Sequence, residues 1–289
     1  MKWRLLALFL MGLTATPVLA DSVLTLWARN FYSPPIRALL QLALDETPEY
    51  PELTIEPSVP MVQGRVVVEL ARNNSDLVDV ANIATSRDRE SELTTVRFPV
   101  DSGLLGMRVC LIRKGEADRF AGIERPSQFQ RRGLVIGQGT HWPDKEILEA
   151  NGFEVVTAAR FKTLFQMLRR ERFDCFLRGV GEVLFDLEQQ GSEGLQIEPH
   201  LLFSYKMPSY FFFAPRDEAL AQRIQLGLER AVADGRYDKF FRHYFGRALT
   251  KLDISSRQRI PLFNPLLTED SRFTPYPVNP MSVDPPGMD

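Results

Sequence analysis

The strongest constraint on the fold is the order in which two hydrophobic periodicities alternate along the chain. Residues 22–27 alternate apolar and polar side chains, as a half-buried strand does. Pro34 and Pro35 then open a stretch whose Ile36, Leu39, Leu40 and Ala43 fall at helical spacing. The exchange repeats. A strand near 53–59 is followed by a helix over 63–72, with Val66, Val67 and Leu70 inward, and then by a short buried strand at 78–83. Strands at 106–112 and 133–136 precede a helix at 143–151, which has proline in its first turn and Gly152 after its end. A strand at 154–157, a helix carrying Phe161, Leu164, Phe165 and Leu168, a strand at 173–177 and a helix at 181–190 continue the series. Such alternation demands largely parallel sheets covered by helices on both faces. An aromatic strand at 209–214 and two helices, 217–233 and 237–245, complete the periodic region. From Pro261 the last 29 residues hold seven prolines and little periodicity, which predicts an extended tail, packed on the surface or partly disordered.

The first twenty residues stand apart from this pattern. Lys2 and Arg4 precede a short apolar run, Leu5 to Leu13, and Val18 and Ala20 stand at the −3 and −1 positions of a small-residue cleavage site. Residues 1–20 therefore read as a cleaved secretory signal, too short in its apolar run for a membrane span. The mature chain keeps 269 residues, and its formal charge moves from −2 to −4. That balance excludes a generally basic nucleic-acid binder. Cys110 and Cys175 form no CxxC pair, and His141, His200 and His243 are too scattered for metal-ligand spacing, so no metal is expected.

Little in the chain promises catalysis. Gly137-Gln138-Gly139 lacks the third glycine of a dinucleotide fingerprint, and no serine sits in a GxSxG elbow. Asp186 and Glu188, two residues apart on a predicted helix, read as a solvated face. No catalytic residue, no cofactor and no enzymatic activity are expected.

Residues 217–245, DEALAQRIQLGLERAVADGRYDKFFRHYF, resemble the closing helices of periplasmic solute-binding proteins of the amino-acid-binding family: a helix, a DG turn and a short aromatic helix ending in Tyr-Phe. Three further stretches follow in the family's order: LVDVANIATSRDRE (77–90), LVIGQGTHWPD (134–144) and RRERFDCFLRG (169–179). The resemblance implies a divergent member with a two-lobed α/β fold of the type II periplasmic-binding-protein kind, joined by two crossover segments. Lobe one takes 21–106 and 215–260, lobe two takes 107–214, and 261–289 form the proline-rich tail. It further implies a periplasmic, monomeric protein that holds a small solute in the cleft for an inner-membrane ABC permease. The alternative is a ligand-sensing module regulating a membrane signalling partner.

The site residues carried over are Thr85 with Arg87 or Arg89, one of the two arginines clamping a ligand carboxylate, and the Gln138-Gly139-Thr140 loop, where glycine lets backbone approach a ligand. Tyr32 and Trp142 are candidate aromatic walls, and Arg65 a rim residue. Arg178 stands where such proteins commonly place an acid for the ligand ammonium. If it enters the cleft, it favours an anionic ligand; otherwise it pairs with Glu182 or another carboxylate. The family topology also sets the Cys110 strand beside the Cys175 strand; the expectation is two buried thiols, since free cysteine packs as a small hydrophobe. The tail beyond Phe263 is expected to contribute little to the cleft.

Overall fold

The computed structural model describes residues 22–280 apart from Asn73, so the signal segment 1–20 and the last nine positions lie outside the described residues. Twelve strands alternate with helices as the periodicities predict. They are β1 (Ser22–Leu26), β2 (Leu53–Pro57), β3 (Val80–Ala84), β4 (Thr94–Val96), β5 (Met107–Arg113), β6 (Val135–Gly139), β7 (Glu154–Ala158), β8 (Cys175–Gly179), β9 (Leu195–Ile197), β10 (Leu201–Ser204), β11 (Ser209–Phe213) and β12 (Gln258–Pro261).

They form two sheets, and each sheet is the centre of one lobe. The first has the order β2-β1-β3-β11-β4; the second runs β12-β10-β5-β8-β6-β7, with β9 against β5. β1 pairs parallel with β2 and β3, and β6 pairs parallel with β7 and β8. The strands that carry the chain between lobes break the parallel rule: β11 runs antiparallel to β3, and β5 antiparallel to β8. β3 and β8 are buried at every position, as central strands covered on both faces must be.

Packing follows the helical stripes. The helix Phe161–Arg169 buries Leu164, Phe165 and Leu168, which join Phe173 and Phe176 in one cluster over the second sheet. Each fully buried aromatic or leucine side chain contributes roughly 1.5–3 kcal/mol relative to exposure. The helix Arg236–Leu252 reaches further than its lobe. Its Phe241, Phe245 and Leu249 share a cluster with Leu26 and Val80 of the first sheet and with Val109 and Leu202 of the second. The apolar core is therefore continuous beneath the cleft.

Two features depart from expectation. Cys110 and Cys175 are bonded to each other. Antiparallel pairing of β5 with β8 brings their Cα atoms to 5.1 Å, inside the range a disulfide spans, so the expected free thiols are replaced by a cross-link. The tail is also no loose appendage. Beyond Leu252 the chain returns to the second sheet, where β12 pairs parallel with β10, and then recrosses to the first lobe. There Thr268 and Ser271 donate to the Glu90 carboxylate, the Tyr210 hydroxyl donates to Thr274 Oγ1, and the Val278 N–H donates to Ser102 Oγ. The two crossovers run near 98–107 and 204–209, so β11 falls in the first lobe rather than in 107–214 and β12 in the second rather than in 215–260; the chain also passes between lobes at 252–258 and 262–268.

Candidate functional site

A cavity of about 990 Å³ lies between the two lobes. From the first lobe, the turn after β1 supplies Arg29, Asn30 and Tyr32, and β3 supplies Asn82. From the second come Thr140, His141, Trp142 and Asp144 after β6, Phe161 at a helix start, and Arg178, Glu182 and Asp186 at and beyond β8. Asp101, on the first crossover, and Arg108, on β5, close its floor.

The second lobe's wall is a chain of buried charges. Arg178, 1% exposed, donates through Nε to Asp186 Oδ2 at 2.7 Å, and its Nη2 lies 3.0 Å from Glu182 Oε2. Arg108, 2% exposed, lies 2.7 Å from Asp144 Oδ1 and 3.6 Å from Glu182 Oε2. These contacts neutralise charge without exhausting hydrogen-bond capacity. Nε and Nη1 of Arg108 have no directed partner, nor does Oε2 of Glu182. Burial alone would raise the Glu182 pKa, but the Arg178 and Arg108 guanidiniums, helped by Arg29, outweigh it and hold the carboxyl below its usual range. Asp101 goes the other way: burial, reinforced by the nearby Glu182 charge, pushes it to about 7.

The alternative of a structural ion pair for Arg178 therefore fits the arrangement, and Asp186 is not on a solvated face. Glu182 and Asp186 are one helical turn apart, so both turn toward Arg178. Asp186 is 6% exposed, while the Glu188 side chain is 58% exposed and faces solvent. An ion pair buried this deeply needs both partners, because removing one strands the other.

The other expected site residues divide. Tyr32, Gly139, Thr140, Trp142 and Arg178 line the cavity; Arg65, Thr85, Arg87, Arg89 and Gln138 do not. Tyr32 is 67% exposed and stands at the rim. Trp142 is a wall, stacked on Phe176 with ring centroids 6.2 Å apart. A Cβ on Gly139 would come within 2.5 Å of the Trp142 ring, and one on Gly137 within 2.2 Å of Phe173. These glycines make room for aromatic rings rather than for a ligand. Gln138 is buried, its amide donating to the Leu177 carbonyl. Arg65 pairs with Glu69 on the surface of its own helix.

Thr85 donates to Glu90, behind the cleft. Arg87 is exposed and hydrogen-bonds the tail through its backbone and side chain, to the carbonyls of Leu266 and Leu267. Arg89 is the inward-facing arginine of the pair, but its nitrogens donate to the carbonyls of Ala84 and, across the cleft, His141. Burial outweighs the opposing charges of Asp144 and Asp88 and lowers the Arg89 pKa to about 10.

The residue that pattern reasoning missed is Arg29. Its guanidinium carbon lies 4.2 Å from the Phe161 ring centroid and 5.6 Å from that of Trp142. Both rings belong to the opposite lobe. Burial, with the neighbouring Arg178 charge, lowers its pKa. Two sheet-centred lobes, a cleft at strand ends and crossovers through its floor settle the architecture. The fold is that of the two-lobed periplasmic binding proteins.

Solved structures bear this out. An ancestral arginine-binding protein bound to glutamine matches with TM-score 0.57 and 16% identity, over 78% of this chain and 99% of that one. A periplasmic His/Glu/Gln/Arg/opine family-binding protein from Silicibacter pomeroyi, in complex with lysine, gives 0.56 at 13% identity, covering 77% and 97%. An ancestral amino-acid-binding protein, described as a precursor of cyclohexadienyl dehydratase, gives 0.57 at 13%, covering 78% and 96%. No protein-family model and no curated protein matches the sequence. Among the described residues, no group of histidine, cysteine and carboxylate side chains is placed to hold a metal ion, and no helix is long and apolar enough to cross a membrane.

Proposed function

We propose that this chain is a non-catalytic periplasmic solute-binding protein. Its lobes, the first built on β1 to β4 with β11 and the second on β5 to β10 with β12, close on a small amino-acid-like or organic-acid solute that carries at least one carboxylate. The solute-loaded form is then presented to an inner-membrane ABC permease, the protein itself remaining monomeric. The observation carrying this reading is the imbalance in the cavity between the lobes. Its volume of about 990 Å³ suits a metabolite-sized solute. Arg29, Arg89, Arg108 and Arg178 at or beside it face only Glu182, Asp144 and Asp186, with Asp101 held near half-protonation at neutral pH. Unfilled buried donors on Arg108 and Arg178 outnumber the unfilled acceptor on Glu182. Closing such a cleft removes water, and surplus buried donors then require an acceptor-rich, negatively charged guest. The structures it resembles are titled as binders of amino acids, which agrees with a carboxylate in the solute.

The test is a thermal-shift screen of the mature chain against amino acids, organic acids and neutral or cationic metabolites. A true solute at a hundred times its dissociation constant adds roughly 2.7 kcal/mol of stability. Stabilisation by carboxylate compounds is the expected result; stabilisation by neutral or purely cationic compounds alone rejects the reading.

A further inference from the structure

The arginine that aligns with the family's carboxylate clamp is already occupied. Arg89 donates to the Ala84 carbonyl on its own lobe and, at 2.9 Å, to the His141 carbonyl on the other. It ties the lobes together and does not line the cavity. Arg178 and Arg108 do line it, but both are held by carboxylates.

Arg29 is different in kind. Its backbone is fixed on either side: the Ala28 N–H donates to Ser58 Oγ, and the Asn30 side chain exchanges two hydrogen bonds with the backbone of Asn82. That double anchor directs the intervening side chain across the cleft. At its far end the guanidinium lies over Phe161 and beside Trp142, and among the described residues it has no hydrogen-bond or ion-pair partner. Arg178 lies against the same two rings, at 5.0 and 5.1 Å, so two guanidiniums share one aromatic platform and only one is neutralised. A cation over an aromatic ring gains about 0.5–2 kcal/mol, but the ring satisfies none of its N–H donors. Arg29 lines the cavity, so those donors are within reach of a guest.

We infer that Arg29, rather than Arg87 or Arg89, holds the carboxylate of the solute, on a platform made by Phe161 and Trp142 of the opposite lobe. The inference rests on the solute-binding reading above and specifies which side chain performs it. The clamp in this chain has moved from the turn after β3 to the turn after β1. A planar carboxylate can take two parallel N–H bonds from a guanidinium held in place against a ring. Because the platform belongs to the second lobe and the arginine to the first, the full site exists only when the cleft is shut. Solute binding and lobe closure are then one event.

Calorimetry on the mature chain tests this, with L-glutamate and glutarate as carboxylate probes and agmatine as a cationic one. Trp142 fluorescence serves as a second readout. Arg29→Ala is expected to weaken carboxylate binding at least tenfold. Arg29→Lys, which keeps the charge but cannot offer two parallel donors, is expected to fall between. Arg89→Ala is expected to change affinity less than Arg29→Ala. Carboxylate affinity that survives Arg29→Ala within twofold overturns the assignment while leaving the solute-binding reading intact. Agmatine binding without carboxylate binding also overturns it and makes the aromatic platform a cation site. No response to any probe in the wild type removes both readings together. Melting curves separate loss of binding from loss of fold, and Arg29 makes no hydrogen bond whose removal threatens folding.

Discussion

The first lobe's sheet, β1 to β4 with β11, is joined by backbone ladders and apolar packing, and the side chains it turns to the cavity from β3 are neutral. The second lobe's sheet has a disulfide between neighbouring strands and a row of buried ion pairs along the cavity wall. The second lobe thus presents a prebuilt surface on which Arg108 and Arg178 each have a carboxylate beside them, though some of their N–H groups stay unpartnered. The other presents a single unsatisfied guanidinium, carried on an irregular turn. Under the proposed solute-binding role, the prebuilt wall would set shape and the arginine that crosses to it would set charge. It also separates two uses of arginine in one cleft. Arg178 is part of the structure because Asp186 and Glu182 have claimed it, whereas Arg29 remains open to a guest.

The sharpest way to break this contrast is to remove one member of the second lobe's pairs. Arg178→Ala leaves Asp186 buried without its cation and is expected to cost roughly 3–5 kcal/mol in stability. Chemical denaturation should show that loss even without solute. A variant with wild-type stability would mean that Arg178 is not a structural residue after all.

Next is the cross-link. Cys110→Ser with Cys175→Ser opens a loop whose ends are 65 residues apart. The expected loss is about 2–4 kcal/mol, confined to the second lobe. Near-ultraviolet and far-ultraviolet melting curves that coincide in the wild type should separate in the variant. Thiol titration of unreduced, denatured protein should find no reactive group.

The third prediction addresses the first lobe. Truncation after Leu267 removes Thr268 and Ser271 from Glu90, and Thr274 from Tyr210. Glu90 would keep Thr85 and Arg97 but lose its other donors, for an expected cost of about 1–3 kcal/mol. A truncated chain with unchanged melting temperature would restore the tail to the passive role that its proline content predicts.

The last prediction concerns pH. Burial raises the Asp101 pKa from its ordinary 3.8 to about 7. An acid raised on folding favours the folded state while protonated. Its contribution is full below the unfolded value and falls as pH rises through the folded one. Stability should therefore decline between roughly pH 4 and pH 7 from this group, and Asp101→Asn should flatten that part of the profile. An unchanged slope would show that Asp101 ionises freely at the lobe junction.

Most of the fold was legible because strand and helix periodicities are local properties. The apolar stripes of 63–72 and 161–169 became buried helix faces, and both parallel pairings around β1 and β6 follow from strand–helix alternation. What escaped were relations between distant positions. The resemblance already set the Cys110 strand beside the Cys175 strand; what escaped was the 5.1 Å approach of their Cα atoms that makes a bond rather than two thiols. The burial of Asp186 was within reach, since Glu182 and Asp186 share a helix face four residues after Arg178. Reading Asp186 against Glu188 compared the wrong pair. Arg29 has no motif at all. Its only signal was a lone arginine beside Trp27 and Asn30 at the end of the first strand, and its role depends on rings more than a hundred residues away. Among the carried-over positions, the arginine after Ser86 that faces inward proved to be Arg89, because Ser86 accepts from its N–H at the helix start and sets the turn that buries it.

The extra passages of chain at 252–258 and 262–268 bear on how far the cleft gapes. A pair of linkers acts as a simple hinge, whose swing ends only where the lobes collide. Here β12 is stitched to the outer edge of one lobe, and seven residues after its end Thr268 is moored to Glu90 on the other. The slack in that short span limits the travel. A lobe closure restrained in this way surrenders less entropy than a two-linker hinge would, so more of the contact energy gained on shutting is left for whatever the cleft holds.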